Sequence, residues 1–206
     1  MTFFDGAWSY GPETADQLMG EALEGYDVVL ATKGGVDKVG PGQITVDGSR
    51  DALHRQIEKS LGNLRREQID LYQLHRVDPE TPIEVSMEAL AEAQSNGWIR
   101  HIGLSNVTRA EVERALEVAP VAAVQNRYSP ADAPDEEMER MIDWLRDLGI
   151  AFVPHGPLGA NPMRQGAAVD PGEALRSLLA RSPNILAIPG TTSIKHLESN
   201  ASALLN

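Results

Sequence analysis

An α/β fold on a parallel sheet, closed as a barrel, is predicted by three observations. Seven short apolar runs recur along the chain, each followed by a polar loop and then by a segment of helical periodicity. The runs are continuous rather than alternating, as strands covered by helices on both faces require. Polar side chains of catalytic type gather at the carboxyl ends of these runs, where barrel enzymes collect their chemistry. An open doubly wound sheet would instead carry G-x-G-x-x-G behind an early strand. The GGVDKVG after Lys33 has neither that spacing nor a helix directly behind it. With 206 residues, one domain over 1–206 is expected, since domains commonly hold about 100 to 200.

The elements follow in order. TFF stops before Asp5 and leads through a short loop to a helix that Pro12 and Glu13 introduce and Gly25 stops. VVLATK ends at Lys33. Asp47 or Ser49 caps RDALHRQIEKSLGNLRRE, whose Leu53, Ile57, Leu61 and Leu64 share one face. IDLYQLH ends at His75 and precedes the helix PIEVSMEALAEAQSNG. HIGLS ends at Ser105 before TRAEVERALEVA, and VAAVQN ends at Asn126 before DEEMERMIDWLRDLG. IAFVP stops before His155, and PGEALRSLLARS supplies the next helix. NILAIP ends at Pro189 and precedes IKHLESNASALL. GPLGANPMRQGAAVDPG, with four Gly and three Pro, reads as an irregular loop over the mouth.

Composition narrows the partners. A formal net charge of -12 repels phosphate backbones and anionic lipid, so neither nucleic acid nor a membrane surface is an expected partner. The absence of cysteine excludes disulfides, thiolate metal sites and cysteine nucleophiles. No apolar stretch approaches the ~18 residues of a membrane span, and no signal sequence is read, so a soluble, cytoplasmic protein is expected.

Taken singly, the polar residues have ordinary structural readings: Asp5 caps a turn, Lys33 snorkels, Tyr10 sits on a rim, His75 bonds within the core. Within one barrel, however, Asp5, Lys33 and His75 emerge on the same face, and Tyr10 lies five residues beyond Asp5. A lysine at a buried strand end is costly unless paired, and Asp5 is its candidate partner. An ammonium beside a tyrosine favours the phenolate, so the phenol is expected below its usual value of about 10. A neutral imidazole can donate to the same substrate oxygen. Those parts suit carbonyl reduction or its reverse. Asp5, His75 and His155 also make a two-histidine, one-carboxylate set, although no metal is expected.

FFDGAWSYGPE, VVLATKGG, DLYQLHRVDP, IRHIGLSN, VQNRYSP and IPGTTSIKHLESN, in that order, resemble the aldo-keto reductase superfamily over nearly the whole chain. The resemblance implies a (β/α)8 TIM-barrel-type fold, here truncated to about seven parallel strands, and hydride transfer from NADP(H), possibly NAD(H), to an aldehyde or ketone. Position by position it implies Tyr10 as proton donor, Lys33 as its tuning residue, Asp5 as the partner of Lys33, and His75 as the group orienting the carbonyl. It assigns nicotinamide contacts to Ser105, Asn106 and Gln125. His155 stands where many relatives stack an aromatic ring, and Gly156, Pro157, Leu158 and Gly159 join the same cofactor set. Ile188, Gly190, Thr191, Thr192 and Ser193, with His196 and Asn200, match the pyrophosphate and adenosine site. Trp8 and His155 are expected to shape the substrate pocket.

Some positions depart from the family pattern. Gly6 and Trp8 replace a threonine and a small or polar residue, and Ser199 and His196 leave the choice between NADP and NAD open. The stretch from Gly159 to Pro171 is shorter than usual. TFFD corresponds to the family's second strand, so an open barrel edge is expected, closed by rearrangement or covered in a homo-oligomer. The alternative function on the same barrel is non-redox chemistry of cyclase or dehydratase type, or cofactor binding without turnover.

Overall fold

In the computed structural model, six of the apolar runs form strands in chain order, with a helix between each and the next. The structure describes residues 2–203 except 12, 41, 131, 133, 134 and 158–169. Leu158 and Gly159, expected in the cofactor set, lie outside the described residues. Two compact units divide the chain, Met1–Ala122 and Ala123–Asn206.

The first unit contains β1 (Phe3–Asp5), α1 (Thr14–Ala22), β2 (Val29–Gly34), β3 (Val36–Gly40), β4 (Gln43–Val46), α2 (Arg50–Leu64), β5 (Ile69–Leu74), α3 (Ile83–Ser95), β6 (Ile99–Ser105) and α4 (Arg109–Leu116). Strands β1, β2, β5 and β6 pair in parallel in that order, with Asp5 opposite Ala31, Lys33 opposite Gln73 and Gln73 opposite Gly103. Parallel pairing in this register brings the carboxyl ends of the strands to one side of the sheet. Leu30, Tyr72, Ile99, Ile102 and Leu104 are buried in the sheet, and Leu53, Ile57, Leu64, Ile83, Met87 and Leu90 cover it from α2 and α3. Burying that apolar area is the main driving force of the unit.

Local signals set the helix ends. Ser49, one of the two expected caps, accepts the Ala52 amide of α2 at 3.3 Å. Thr108 and Glu111 form a reciprocal capping box on α4. Asp16 of α1 is fully buried and accepts hydroxyl bonds from Thr32 (2.7 Å) and Ser60 (2.6 Å), which ties α1 to β2 and α2. The glycine-bearing stretch behind Lys33 is not a plain loop but an antiparallel hairpin, β3 with β4. Its entry at Gly35 has φ 84° and its turn at Gly42 has φ 69°, conformations that glycine adopts at little cost.

The second unit contains β7 (Ala123–Gln125), α5 (Glu136–Asp147), β8 (Ala151–Phe152), α6 (Pro171–Arg181) and α7 (Ile194–Ser202). β7 and β8 pair in parallel. The run NILAIP contributes one isolated parallel bridge, Ile185 with Phe152, rather than an extended strand. Arg181 of α6 joins Glu139 (2.5 Å) and Asp143 (3.0 Å) of α5, and the Tyr128 hydroxyl donates to Glu139 at 2.5 Å. Burial, followed by the Glu139 contact, pushes the Tyr128 phenol up to about 12. Among the described residues, no helix is long and apolar enough to cross a membrane.

Two glycines make opposite predictions. A Cβ at Gly20 of α1 would run into the backbone of Asn63 and Leu64, whereas one at Gly62 of α2 meets nothing within 4 Å. Gly20→Ala should therefore destabilise the protein by about 1–3 kcal/mol through overpacking, despite the better helix propensity of alanine. Gly62→Ala should stabilise it by up to ~1 kcal/mol. Urea denaturation of both variants checks the pair; a stabilised Gly20→Ala would contradict the close α1–α2 contact.

Candidate active site

Asp5 closes β1, Lys33 is the penultimate residue of β2, and His75 directly follows β5. The loop after β1 is sewn to β2 by backbone bonds, Gly6 N to Ala31 O (2.8 Å) and Trp8 N to Lys33 O (3.0 Å), and it turns back at Tyr10 N to Ala7 O (3.0 Å). That stitching holds Tyr10 over the end of the lysine strand.

Lys33 is fully buried, with Nζ 2.5 Å from Asp5 Oδ2 and 2.6 Å from the Gly6 carbonyl oxygen. Gln73, in register with Lys33, donates to the other Asp5 oxygen at 2.9 Å. Burial holds the pKa of the Lys33 ammonium below the usual lysine value, and the Asp5 carboxylate opposes that shift. The ammonium lies 5.4 Å from the centroid of the Tyr10 ring, which stands edge-on to the His75 imidazole at 5.8 Å and 80°.

The sequence reading expects the lysine to lower the Tyr10 phenol, and the structure reverses that sign. Loss of surrounding water, then the Asp5 carboxylate, hold Tyr10 above the ordinary value of 10.0. Burial is the larger cause, and the Lys33 ammonium does not override it because its charge is paired with Asp5 at 2.5 Å. Tyr10, 49% exposed, is thus a neutral phenol at neutral pH, able to give up a proton.

His75 is fixed through its backbone. Its amide donates to the Gly34 carbonyl at 2.8 Å, and its own carbonyl accepts from Asn106 Nδ2 at 3.1 Å. Asn106 follows β6 in the left-handed region, φ 57°, which asparagine tolerates better than most residues. Its amide also donates to Ser105 Oγ at 3.0 Å. Trp8 turns inward, 8% exposed, with Nε1 donating to Asp37 of β3 at 2.6 Å and Lys59 Nζ 5.3 Å from its ring centroid. Little of that ring reaches the surface.

The remaining predicted residues belong to the second unit. Gln125 ends β7 and is buried. His155 is half-buried, its amide donating to Asn126 O at 3.0 Å, and Gly156 follows at φ 69°. The Pro157 carbonyl accepts from Ser129 Oγ at 2.9 Å. Ile188 is half-buried, while Gly190, Thr191 and Thr192 are exposed. Ser193 caps α7 through the His196 amide at 3.4 Å, and Asn200 is buried on the same helix. His196 itself is exposed.

Sequence reasoning misses two polar neighbours of the cluster. Gln73 lies two residues before His75, so strand alternation places both on one face, and a buried glutamine there is a legible signal. Ser9, between Trp8 and Tyr10, has its Oγ 3.4 Å from His75 Nδ1, a contact across 66 positions that no local pattern announces.

The aldo/keto reductase family model matches residues 1–174. An uncharacterized oxidoreductase of Schizosaccharomyces pombe is 36% identical over 98% of this chain and 69% of its own length. Pyridoxine 4-dehydrogenase of Escherichia coli is also 36% identical, over 94% of this chain and 73% of its own. Among solved structures, an aldo-keto reductase from Klebsiella pneumoniae in complex with NADPH matches with a TM-score of 0.83 at 27% identity, over 100% of this chain and 75% of that one. A thermostable aldo-keto reductase in complex with the inhibitor epalrestat matches with the same score at 28% identity, over 98% and 76%. The fold class is the (β/α)8 type, and the chain spans about three quarters of the length of these solved structures.

Removing one partner of the buried pair leaves the other charge uncompensated. Asp5→Ala should cost about 3–5 kcal/mol of stability, and adding Lys33→Met should recover most of it. Urea denaturation of the single and double variants tests this; equal losses in both would show that the ion pair is not the source.

Proposed function

Since the chain belongs to the aldo/keto reductase family, and is thereby an NADP(H)-dependent oxidoreductase, we propose that it reduces a small aldehyde or ketone with Tyr10 as the proton donor. One observation carries the finer reading. A neutral phenol, a buried ammonium held by a carboxylate, and an imidazole meet at the carboxyl ends of β1, β2 and β5.

The residues present fit the cofactor. Gly190 to Thr192 are exposed and enter α7, whose first turn holds Lys195 and no acidic residue. A helix start of that kind favours phosphate. In the first unit Ser105 and Asn106 would offer a hydroxyl and an amide to a carboxamide; in the second, Gln125 would offer an amide and His155 a ring for stacking. The Klebsiella pneumoniae neighbours solved with NADPH and with NADP support NADP(H) as the nucleotide. When bound, NADPH supplies the hydride that adds to the carbonyl carbon.

The protein's side chains manage the oxygen. As the C=O π bond breaks, its electron pair moves onto oxygen, and the Tyr10 hydroxyl gives that oxygen its proton. A phenolate remains, and the Lys33 ammonium, 5.4 Å from the ring centroid, stabilises it until solvent returns a proton. The phenol is protonated at neutral pH, so the donor is loaded before the oxygen gains negative charge. The His75 imidazole donates to the same oxygen and orients it.

Tyr10→Phe should lower kcat by at least ~100-fold while leaving the NADPH Kd, read from the quenching of tryptophan fluorescence, within about twofold. Retained turnover in Tyr10→Phe would refute the assigned donor.

A further inference from the structure

The contact between Ser9 and His75 is absorbed neither by the fold nor by the proton donor. Ser9 is 8% exposed, and its hydroxyl has no hydrogen-bond partner among the described residues other than His75 Nδ1, at 3.4 Å. Its position is tightly set. Trp8 on one side is pinned to Asp37 at 2.6 Å and Tyr10 on the other to the Ala7 carbonyl at 3.0 Å. The imidazole is set equally firmly by the bonds of its backbone to Gly34 and Asn106.

We propose that Ser9 is a positioning residue that keeps His75 in the Nε2–H tautomer. A neutral imidazole carries one ring proton, and the hydrogen bond made by one nitrogen decides which nitrogen holds it. If Ser9 donates to Nδ1, both groups are satisfied and the ring proton resides on Nε2. If Nδ1–H donated to Ser9 instead, the buried serine proton would have no acceptor among the described residues, which is the costlier arrangement. With the proton on Nε2, the far side of the ring is a donor, which a carbonyl oxygen gaining negative charge requires. The opposite tautomer would face that oxygen with a lone pair. The loop that carries the proton donor thus also sets the polarity of its neighbour.

The catalytic consequence rests on the reductase reading, whereas the tautomer does not. Long-range 1H–15N correlation spectra at about pH 8, where an ordinary imidazole is neutral, should show Nε2 of His75 protonated in the wild type. Ser9→Ala should shift the ring towards Nδ1–H or a mixture, and Ser9→Thr should restore the wild-type pattern. In turnover, Ser9→Ala should lower kcat by about 10-fold, with Ser9→Thr rescuing it and the NADPH Kd unchanged. A wild-type Nδ1–H ring, or a tautomer unmoved in Ser9→Ala, overturns the proposal. If no carbonyl substrate is turned over, the reductase reading fails while the spectra still decide the role of Ser9.

Discussion

A lysine ammonium with no exposure to water needs a carboxylate beside it, and the site is arranged around that requirement. Lys33 is accommodated because Asp5 ends the neighbouring parallel strand, 2.5 Å away, and because the Gly6 carbonyl takes a second ammonium proton. Gln73, from the strand on the other side, fixes the carboxylate that fixes the lysine. Three strands are thereby locked in register at their carboxyl ends. The loop behind β1 is tied to β2 by the same backbone ladder, so the placement of Tyr10 depends on this pair as well.

Pairing also decides the chemistry. A lone ammonium near the phenol favours the phenolate, but the charge of Lys33 is matched by Asp5, and burial, then the carboxylate, dominate instead. The result suits reduction, in which a loaded acid must wait for an oxygen to become basic. A second buried carboxylate lies below. Burial raises the pKa of Asp16, the Ser60 and Thr32 hydroxyls oppose that shift, and the Lys33 charge also acts on it. The lysine thus sits between two acidic groups of different environment, one in direct contact and one held by hydroxyls.

Much of this was legible in the sequence because buried parallel strands announce themselves. VVLATK, IDLYQLH and HIGLS are largely apolar runs ending in a polar residue, and each becomes a strand with that residue within one position of its end. NILAIP carries the same apolar content but is bounded by Asn184 and Pro189, and it forms only one bridge. The β3–β4 hairpin was hidden because its glycines read as loop, while the cross-strand bonds that make it a ladder are not local. Asp16 looks like an ordinary exposed acid in the first turn of a helix. Its burial follows from two hydroxyls brought up by β2 and α2, a tertiary fact. The sign of the Tyr10 shift had the same origin, since its first cause is burial of the phenol, a tertiary fact that the chain does not announce.

The central claim is that burial, helped by the Asp5 carboxylate that pairs with Lys33, holds the Tyr10 phenol above its ordinary value. It is tested most directly by ultraviolet titration of Tyr10, obtained as the difference from Tyr10→Phe, in the wild type and in Asp5→Asn. The account predicts a wild-type midpoint above 10.0 and a lower one in Asp5→Asn, where the carboxylate that opposes ionisation is gone. A wild-type midpoint below 10.0, or one that does not move in Asp5→Asn, would contradict it.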